Sequence, residues 1–253
     1  ECESFNAALL HEPWDVRTGQ GDPYRVFTPF WRSCAARLDA LPKPLAPPAA
    51  VTAPPSPPAS LPLDELALLP RVRWDAGLHE AWTPGEAGAL ARVEAFAEDA
   101  LARYGEGRNR PDRPETSRLS PYLHFGEIGP RQCLAAARAA VAGRPAAQAS
   151  ADSFVRELGW REFAHHLLHH FPHTPTTPLN TQFEAFPWEP NVAWLEAWQR
   201  GRTGYPIVDA GMRELWTTGW MHNRVRMIVA SLLTKNLRQP WLNGARWFWD
   251  TLV

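Results

Sequence analysis

Nine prolines fall between Pro42 and Pro62. Each fixes φ and removes a backbone donor, so the run can be neither a helix nor an inner strand. With little in it that could pack, it is expected to be an extended, semi-stiff linker. It divides a chain of 253 residues into residues 1–41, the linker at 42–62, and a main domain at 63–253, long enough to bury a substantial core. Past residue 62 nothing alternates with period two for long enough to make a strand. Apolar residues recur at three and four instead, so the main domain reads as all-helical, with short loops and no internal repeat. Residues 1–41 read as an irregular stretch through Gly19-Gln-Gly21, then a short helix with Thr28-Pro29 as cap and first turn.

In the main domain, Thr83-Pro-Gly-Glu86 predicts a capping box with Pro84 at the first helical position. The stripe Leu90, Val93, Ala97, Ala100 and Leu101 continues that helix until Gly105. The polar loop from Tyr104 to Ser120 is rich in Arg, Gly and hydroxyls and opens onto a helix start at Ser120-Pro121, where free N–H groups can meet an anion. It suits a phosphate cradle, and equally a capped surface loop. Gly129-Pro130 starts a helix through Cys133, Leu134 and Val141 to Gly143. A long helix runs from Asp152 to Phe171, stopped by Pro172, with Trp160, Phe163, Ala164, Leu167 and Phe171 as its buried stripe. On it Glu157 and Arg161 form an i, i+4 pair with Trp160 on the same side; the plain reading is a surface ion pair beside a core indole. His165, His166, His169 and His170 give i, i+4 pairs but no third ligand, so no metal is expected.

A loop holding Phe183, Phe186 and Trp188 leads to a short helix carrying Trp194, Leu195 and Trp198 that ends at Gly201. Two helices broken at Gly219 follow, with stripes Val208, Met212, Leu215, Trp216 and then Val225, Ile228, Val229, Leu232. Asn223, Arg226 and Met227 fall on another side of the second, flanked by Trp220 and Arg224. An amide, guanidiniums, an indole and a thioether within two turns suit a flat, partly anionic ligand. A core helix with solvated arginines accounts for the same letters.

Net charge is -1, so any basic surface must be local. Thirteen tryptophans serve either a large core or stacking on aromatic ligands. Cys2, Cys34 and Cys133 have neither metal-ligand spacing nor a disulfide pattern, which fits a reducing compartment. No signal peptide or spanning segment is visible, and a soluble, cytoplasmic protein is expected. The start at Glu1 and the stop inside the apolar run Ala245–Val253 read as the ends of a fragment.

Taken together, Thr116-Ser-Arg-Leu-Ser120-Pro, Glu157-Leu-Gly-Trp160-Arg161-Glu-Phe, Trp198-Gln-Arg-Gly-Arg-Thr-Gly-Tyr-Pro-Ile-Val-Asp209-Ala-Gly-Met-Arg and Gly219-Trp-Met-His-Asn223-Arg224 resemble the DNA photolyase/cryptochrome family. They stand in the family's order and spacing, and the match runs from Tyr24-Arg-Val-Phe-Thr-Pro-Phe30 to the end of the chain. The resemblance implies a mainly α chain: a helical FAD-binding domain at 63–253, preceded at 1–41 by the remnant of an α/β antenna domain. Tyr104, Thr116, Ser117, Arg118, Leu119 and Ser120 fall where the family grips the FAD phosphates, with Arg161 and Arg226 close to the flavin. Glu157, Trp160, Asn223 and Met227 would surround the flipped-out lesion, and Arg108 and Arg224 would face the DNA backbone. Trp188 and Trp241 match the electron relay. Its proximal tryptophan and the Asp-rich, Asn-containing flavin segment are expected beyond Val253.

The implied function is light-driven repair of ultraviolet-damaged DNA, in which excited reduced FAD donates an electron that splits a pyrimidine dimer. Trp160 and Met221-His-Asn-Arg-Val-Arg-Met227 look like cyclobutane-dimer enzymes; those acting on the other ultraviolet adduct usually carry a His-containing pattern here. An antenna chromophore of folate or deazaflavin type is implied for the full-length protein, and a monomer is the default. The rival within the family is a cryptochrome, a flavin light sensor without repair. Outside it, the rival is a helical interaction module whose aromatics are core and whose arginines are surface.

Overall fold

The computed structural model describes residues 2, 3 and 5–253. Among them it contains eleven α-helices and no strand: α1 (Phe27–Ala35), α2 (Ala76–Ala81), α3 (Glu86–Glu98), α4 (Tyr104–Gly107), α5 (Ser120–His124), α6 (Pro130–Val141), α7 (Gln148–His170), α8 (Val192–Gln199), α9 (Pro206–Thr218), α10 (Asn223–Ser231) and α11 (Trp241–Thr251). The mainly helical reading holds. No helix among the described residues is long and apolar enough to cross a membrane, and no group of three or more metal-ligating side chains comes together among them.

The axis of the molecule is α7, starting at Gln148, four residues before the sequence-based start. Its buried side is Ala151, Phe154, Val155, Leu158, Gly159, Glu162, Phe163 and His166. Trp160 and Ala164, expected in that stripe, face outward. The N-terminal half enters a core with Val93 and Phe96 of α3, Cys133 and Leu134 of α6, and Tyr104 of α4. The C-terminal half packs through Phe163 on Val16, Phe30 and Cys34. Gly159 marks the crossing with α1: a Cβ there would run into the indole of Trp31.

Residues 1–41 therefore share the core of the helical domain. Leu10 is buried in the main cluster, and α1 begins at Phe27 behind Val26, so Thr28 and Pro29 lie inside its first turn and Thr28 is not the cap. The proline run has no regular structure and is exposed, as expected, but the exposed stretch continues past residue 62. Apart from one 3-10 turn at Leu63–Leu66, packing resumes only at Asp75.

Two helix predictions need correction. The capping box at Thr83–Glu86 does not form: Gly85 is the residue before α3, with φ of 98°, and its N–H donates to the Glu127 carboxylate. A left-handed glycine with a distant carboxylate replaces the local threonine cap. The buried stripe of α3 is Ala89, Val93 and Phe96, so Leu90 is left exposed; the helix stops at Glu98, and Ala100 and Leu101 enter the core from a 3-10 turn.

The C-terminal half has its own core of Trp198, Val208, Met212, Leu215, Met221, Val225, Val229, Leu232 and Leu233. The break at Gly219 is as predicted, in the left-handed region at φ 68°, and lets α10 fold back on α9, where Val225 packs over Gly211. Trp216 and Ile228, assigned to these stripes, are exposed.

Candidate active site

A cavity of about 890 Å³ opens between α7, the segment from Ser117 through α5, and α11. Phe154, Glu157, Leu158, Arg161 and His165 reach it from successive turns of one face of α7. Tyr104, Ser117, Leu119 and Ser120 form a second wall, Arg226 enters from α10, and Phe248 and Trp249 close it from α11. Of the residues singled out for the cofactor, Tyr104, Ser117, Leu119, Ser120, Arg161 and Arg226 line it, and Glu157 stands beside them.

Electrostatics make the cavity receptive to an anion. Arg161 and Arg226 both have their pKa lowered, first of all by burial. Arg161 donates to the carbonyls of Ala8 and Leu123 at 2.6 and 3.2 Å, and Arg226 to that of Met221 at 2.8 Å. Carbonyls orient a guanidinium without neutralising it; the nearest carboxylates, Glu162 at 3.9 Å from Arg161 and Glu214 near Arg226, offset part of the positive charge that faces the space. Burial pushes the Tyr104 phenol up to about 12, so its hydroxyl keeps its proton as a donor. The volume lies in the upper part of the usual range for ligand and cofactor pockets, and its mix of aromatic walls with a few donors fits a flavin nucleotide.

The remaining predicted residues lie outside this lining. The Arg118 guanidinium rests over the rings of Trp220 and Trp82, 4.3 and 5.3 Å from their centroids, and its backbone is left-handed with a φ of 52°. Thr116 is half-buried beside it. The expected Glu157–Arg161 pair is absent: Glu157 Oε1 lies 2.5 Å from Arg108 Nη1, because Arg161 turns inward to the carbonyls named above. Trp160 stacks on Phe27 with centroids 3.6 Å apart and an interplanar angle of 9°, one face covered and the side chain still 47% exposed. Asn223 is exposed at the start of α10. Met227 is 56% exposed and lines a separate groove with Tyr205, Ile207 and Ile228, since one step along a helix from Arg226 turns the side chain about 100°. The four side chains expected around one hole are thus divided: Glu157 is in the cavity, and Trp160, Asn223 and Met227 are on the surfaces next to it.

Trp188 packs against Phe186, and its loop is stitched to the segment before Trp241 by the buried Gln239. Its amide accepts from Asn191 N at 2.9 Å and donates to the Glu189 carbonyl at 2.6 Å. Sequence reasoning overlooked Gln239, along with Phe154, Leu158, His124 and His165 in the cavity wall. Phe154, Leu158 and His165 continue the face that carries Glu157 and Arg161, so helical spacing alone could have found them.

The family model described as the FAD binding domain of DNA photolyase matches residues 154–253, and that of DNA photolyase matches residues 1–52. A deoxyribodipyrimidine photo-lyase of Agrobacterium fabrum is 47% identical over 99% of this chain and 52% of its own length. Cryptochrome-2 of Arabidopsis thaliana is 39% identical over 99% of this chain and 42% of its own. Among solved structures, a bacterial class III photolyase from Agrobacterium tumefaciens superposes with a TM-score of 0.92 at 46% identity, covering 98% of this chain and 51% of that one. A Synechocystis cryptochrome gives 0.81 at 30%, covering 97% and 51%. The chain spans about half the length of the curated relatives it matches. Two matched domains in order, continuous identity and a shared fold agree: the chain belongs to the DNA photolyase/cryptochrome family.

Proposed function

We propose that this chain serves light-driven repair of cyclobutane pyrimidine dimers in DNA, with FAD in the cavity between α7 and α11. The observation that carries the reading is the sharing of one cavity by Glu157 and the donors Tyr104, Ser117, Ser120, Arg161 and Arg226. FAD, when bound, reduced and excited by blue light, would supply an electron that opens the cyclobutane ring and would take it back once the two pyrimidines have separated, so that the reaction carries no net change of oxidation state. Tyr104, Ser117 and Ser120 would hold the anionic part of the nucleotide, and Arg161 and Arg226 its ring end.

The lesion enters from solvent beside Glu157. A dimer stacks and pairs badly, which lowers the cost of extruding it. Trp160, already covered on one face by Phe27, offers its other face to the extruded pyrimidines, and stacking there rewards the damaged nucleotide. Glu157 hydrogen-bonds a base edge, Asn223 borders the same approach with Met227 in the neighbouring groove, and Arg224 takes a backbone phosphate; Arg108, expected there too, is held by Glu157 with only 14% of its side chain exposed. Trp188 and Trp241 form part of the path by which electrons reach the cavity from the surface. Residues 1–41 would belong to the end of an antenna domain.

In the FAD-loaded protein, Glu157→Gln should leave binding of a dimer-containing duplex within a few fold while lowering dimer loss per absorbed photon by about tenfold or more, as removal of one preorganised polar group does elsewhere. Full repair yield in that variant would remove Glu157 from the mechanism. A cryptochrome-type sensor, the alternative that the Arabidopsis and Synechocystis relatives bring in, predicts the flavin spectrum without dimer loss.

A further inference from the structure

Asn109 has no part in the scheme so far. It is exposed just past α4, and its amide is used at both ends. Nδ2 points to the carbonyl of Gly105, one turn back, at 3.5 Å, and Oδ1 accepts from Arg224 Nε at 2.8 Å across 115 positions of sequence. These two partners fix the amide orientation, because a flip would set donor against donor. Arg224 Nη1 then lies 3.3 Å from the Met227 sulfur. The preceding residue, Arg108, reaches the other way to Glu157 on α7. Two consecutive side chains thus tie one short helix to α7 and to α10.

The partner type carries the argument. A surface arginine is commonly held by a carboxylate, which cancels its charge, as Arg200 is by Glu196. A neutral amide holds the guanidinium by one edge and leaves its positive charge intact. An unrestrained arginine would lose rotamer freedom on meeting a phosphate; one already held has lost part of it.

We propose that Asn109 is a positioning residue that presents Arg224, still fully charged, to a phosphate of the DNA backbone. The inference rests on the repair reading above and names how that same site is preorganised for its substrate.

The test is a double-mutant cycle in the FAD-loaded protein, reading affinity for a dimer-containing duplex across a salt series. Asn109→Ala should weaken binding about three- to tenfold, the scale of one ordinary net hydrogen bond, because the phosphate contact is loosened rather than removed. It should also make log K against log[salt] shallower by up to about 1, as for loss of one phosphate contact. Added to Arg224→Ala, it should cost almost nothing more. Asn109→Asp, which can still hold Nε but cancels the charge, should bind more weakly than wild type with an unchanged unfolding midpoint. Additive losses in the cycle, or wild-type binding by both Asn109 variants, would overturn the proposal and leave the repair reading standing. A wild-type protein with no preference for the damaged duplex would overturn both.

Discussion

Single atoms decide much at this site. Gly159 is the one residue of the Glu157-Leu-Gly-Trp160 string that can lie beneath Trp31, since a Cβ would meet the indole. Gly159→Ala should cost about 1–3 kcal/mol, as overpacking of a filled core does, read as a lower denaturation midpoint with unchanged slope; an unaltered midpoint would mean the indole moves freely. Tyr104 makes the opposite case. Its ring packs edge-on against Phe96 and Phe154, so Tyr104→Phe should fold normally while FAD binds about three- to tenfold more weakly through loss of one hydrogen bond; unchanged affinity in a flavin titration would place the phenol away from the cofactor. Such details were only partly legible in the letters. Spacing put Glu157 and Arg161 on one face and they share the cavity, but it paired them with each other. Arg108 and the carbonyls of Ala8 and Leu123 are far away in sequence, and they decided the pairing. Trp160 looked like core for the same reason: nothing local shows that Phe27 of α1 covers one face of the indole and leaves the rest to solvent.

At the scale of the element, α7 is also a clamp. Glu162, His166 and His170 follow at i, i+4 and i+8 and hold the leading segment by its backbone. Leu10 and His11 donate to Glu162 at 2.9 and 3.0 Å, Tyr24 N donates to His166 Nε2 at 3.0 Å, and His170 Nε2 lies 3.1 Å from the Pro13 carbonyl. Burial pushes Glu162 up to about 7, with a small addition from Glu12, against the lowering effects of the His11 and Leu10 N–H donors and of Arg161. Burial, with His170 and His169 adding to it, pushes His166 down to about 4. The signs oppose. Raised in the fold, Glu162 contributes stability at low pH that is lost as pH rises from about 4.5 to 7; lowered in the fold, His166 contributes stability at high pH that is lost as pH falls from about 6.5 to 4. Relative to wild type, Glu162→Gln should therefore gain in slope, becoming more stable with rising pH across that window. His166→Gln should do the reverse, each by at most about 1.4 kcal/mol per pH unit. Parallel pH profiles from urea melts of the three proteins would contradict the assignment. Element existence was readable from apolar spacing, and the break at Gly219 from one glycine. Element edges were not: the start of α3 is set by Gly85 and the distant Glu127, which no local capping pattern contains.

For the whole molecule, the four motifs named the family, and matched domains, continuous identity and the shared fold agree with it. Composition alone would have missed it, because a net charge of -1 says nothing of a cavity that gathers two partly buried arginines, Arg161 and Arg226, on its wall. The proline run marked a division between residues 1–41 and the helical domain without saying how closely the two pack. That run does leave the protein surface, yet the segment before it returns to α7 through Leu10, Phe30 and Cys34, a long-range packing that a linker signal cannot report. The central claim is that flavin and lesion meet across Glu157. It is tested most directly by loading the protein with reduced FAD, mixing it with a duplex carrying one cyclobutane dimer, and following that dimer under blue light and in the dark. The account predicts dimer loss in the light only, abolished by unlabelled damaged competitor and reduced in Glu157→Gln; a protein that holds the flavin, absorbs the light and leaves the dimer intact would contradict it.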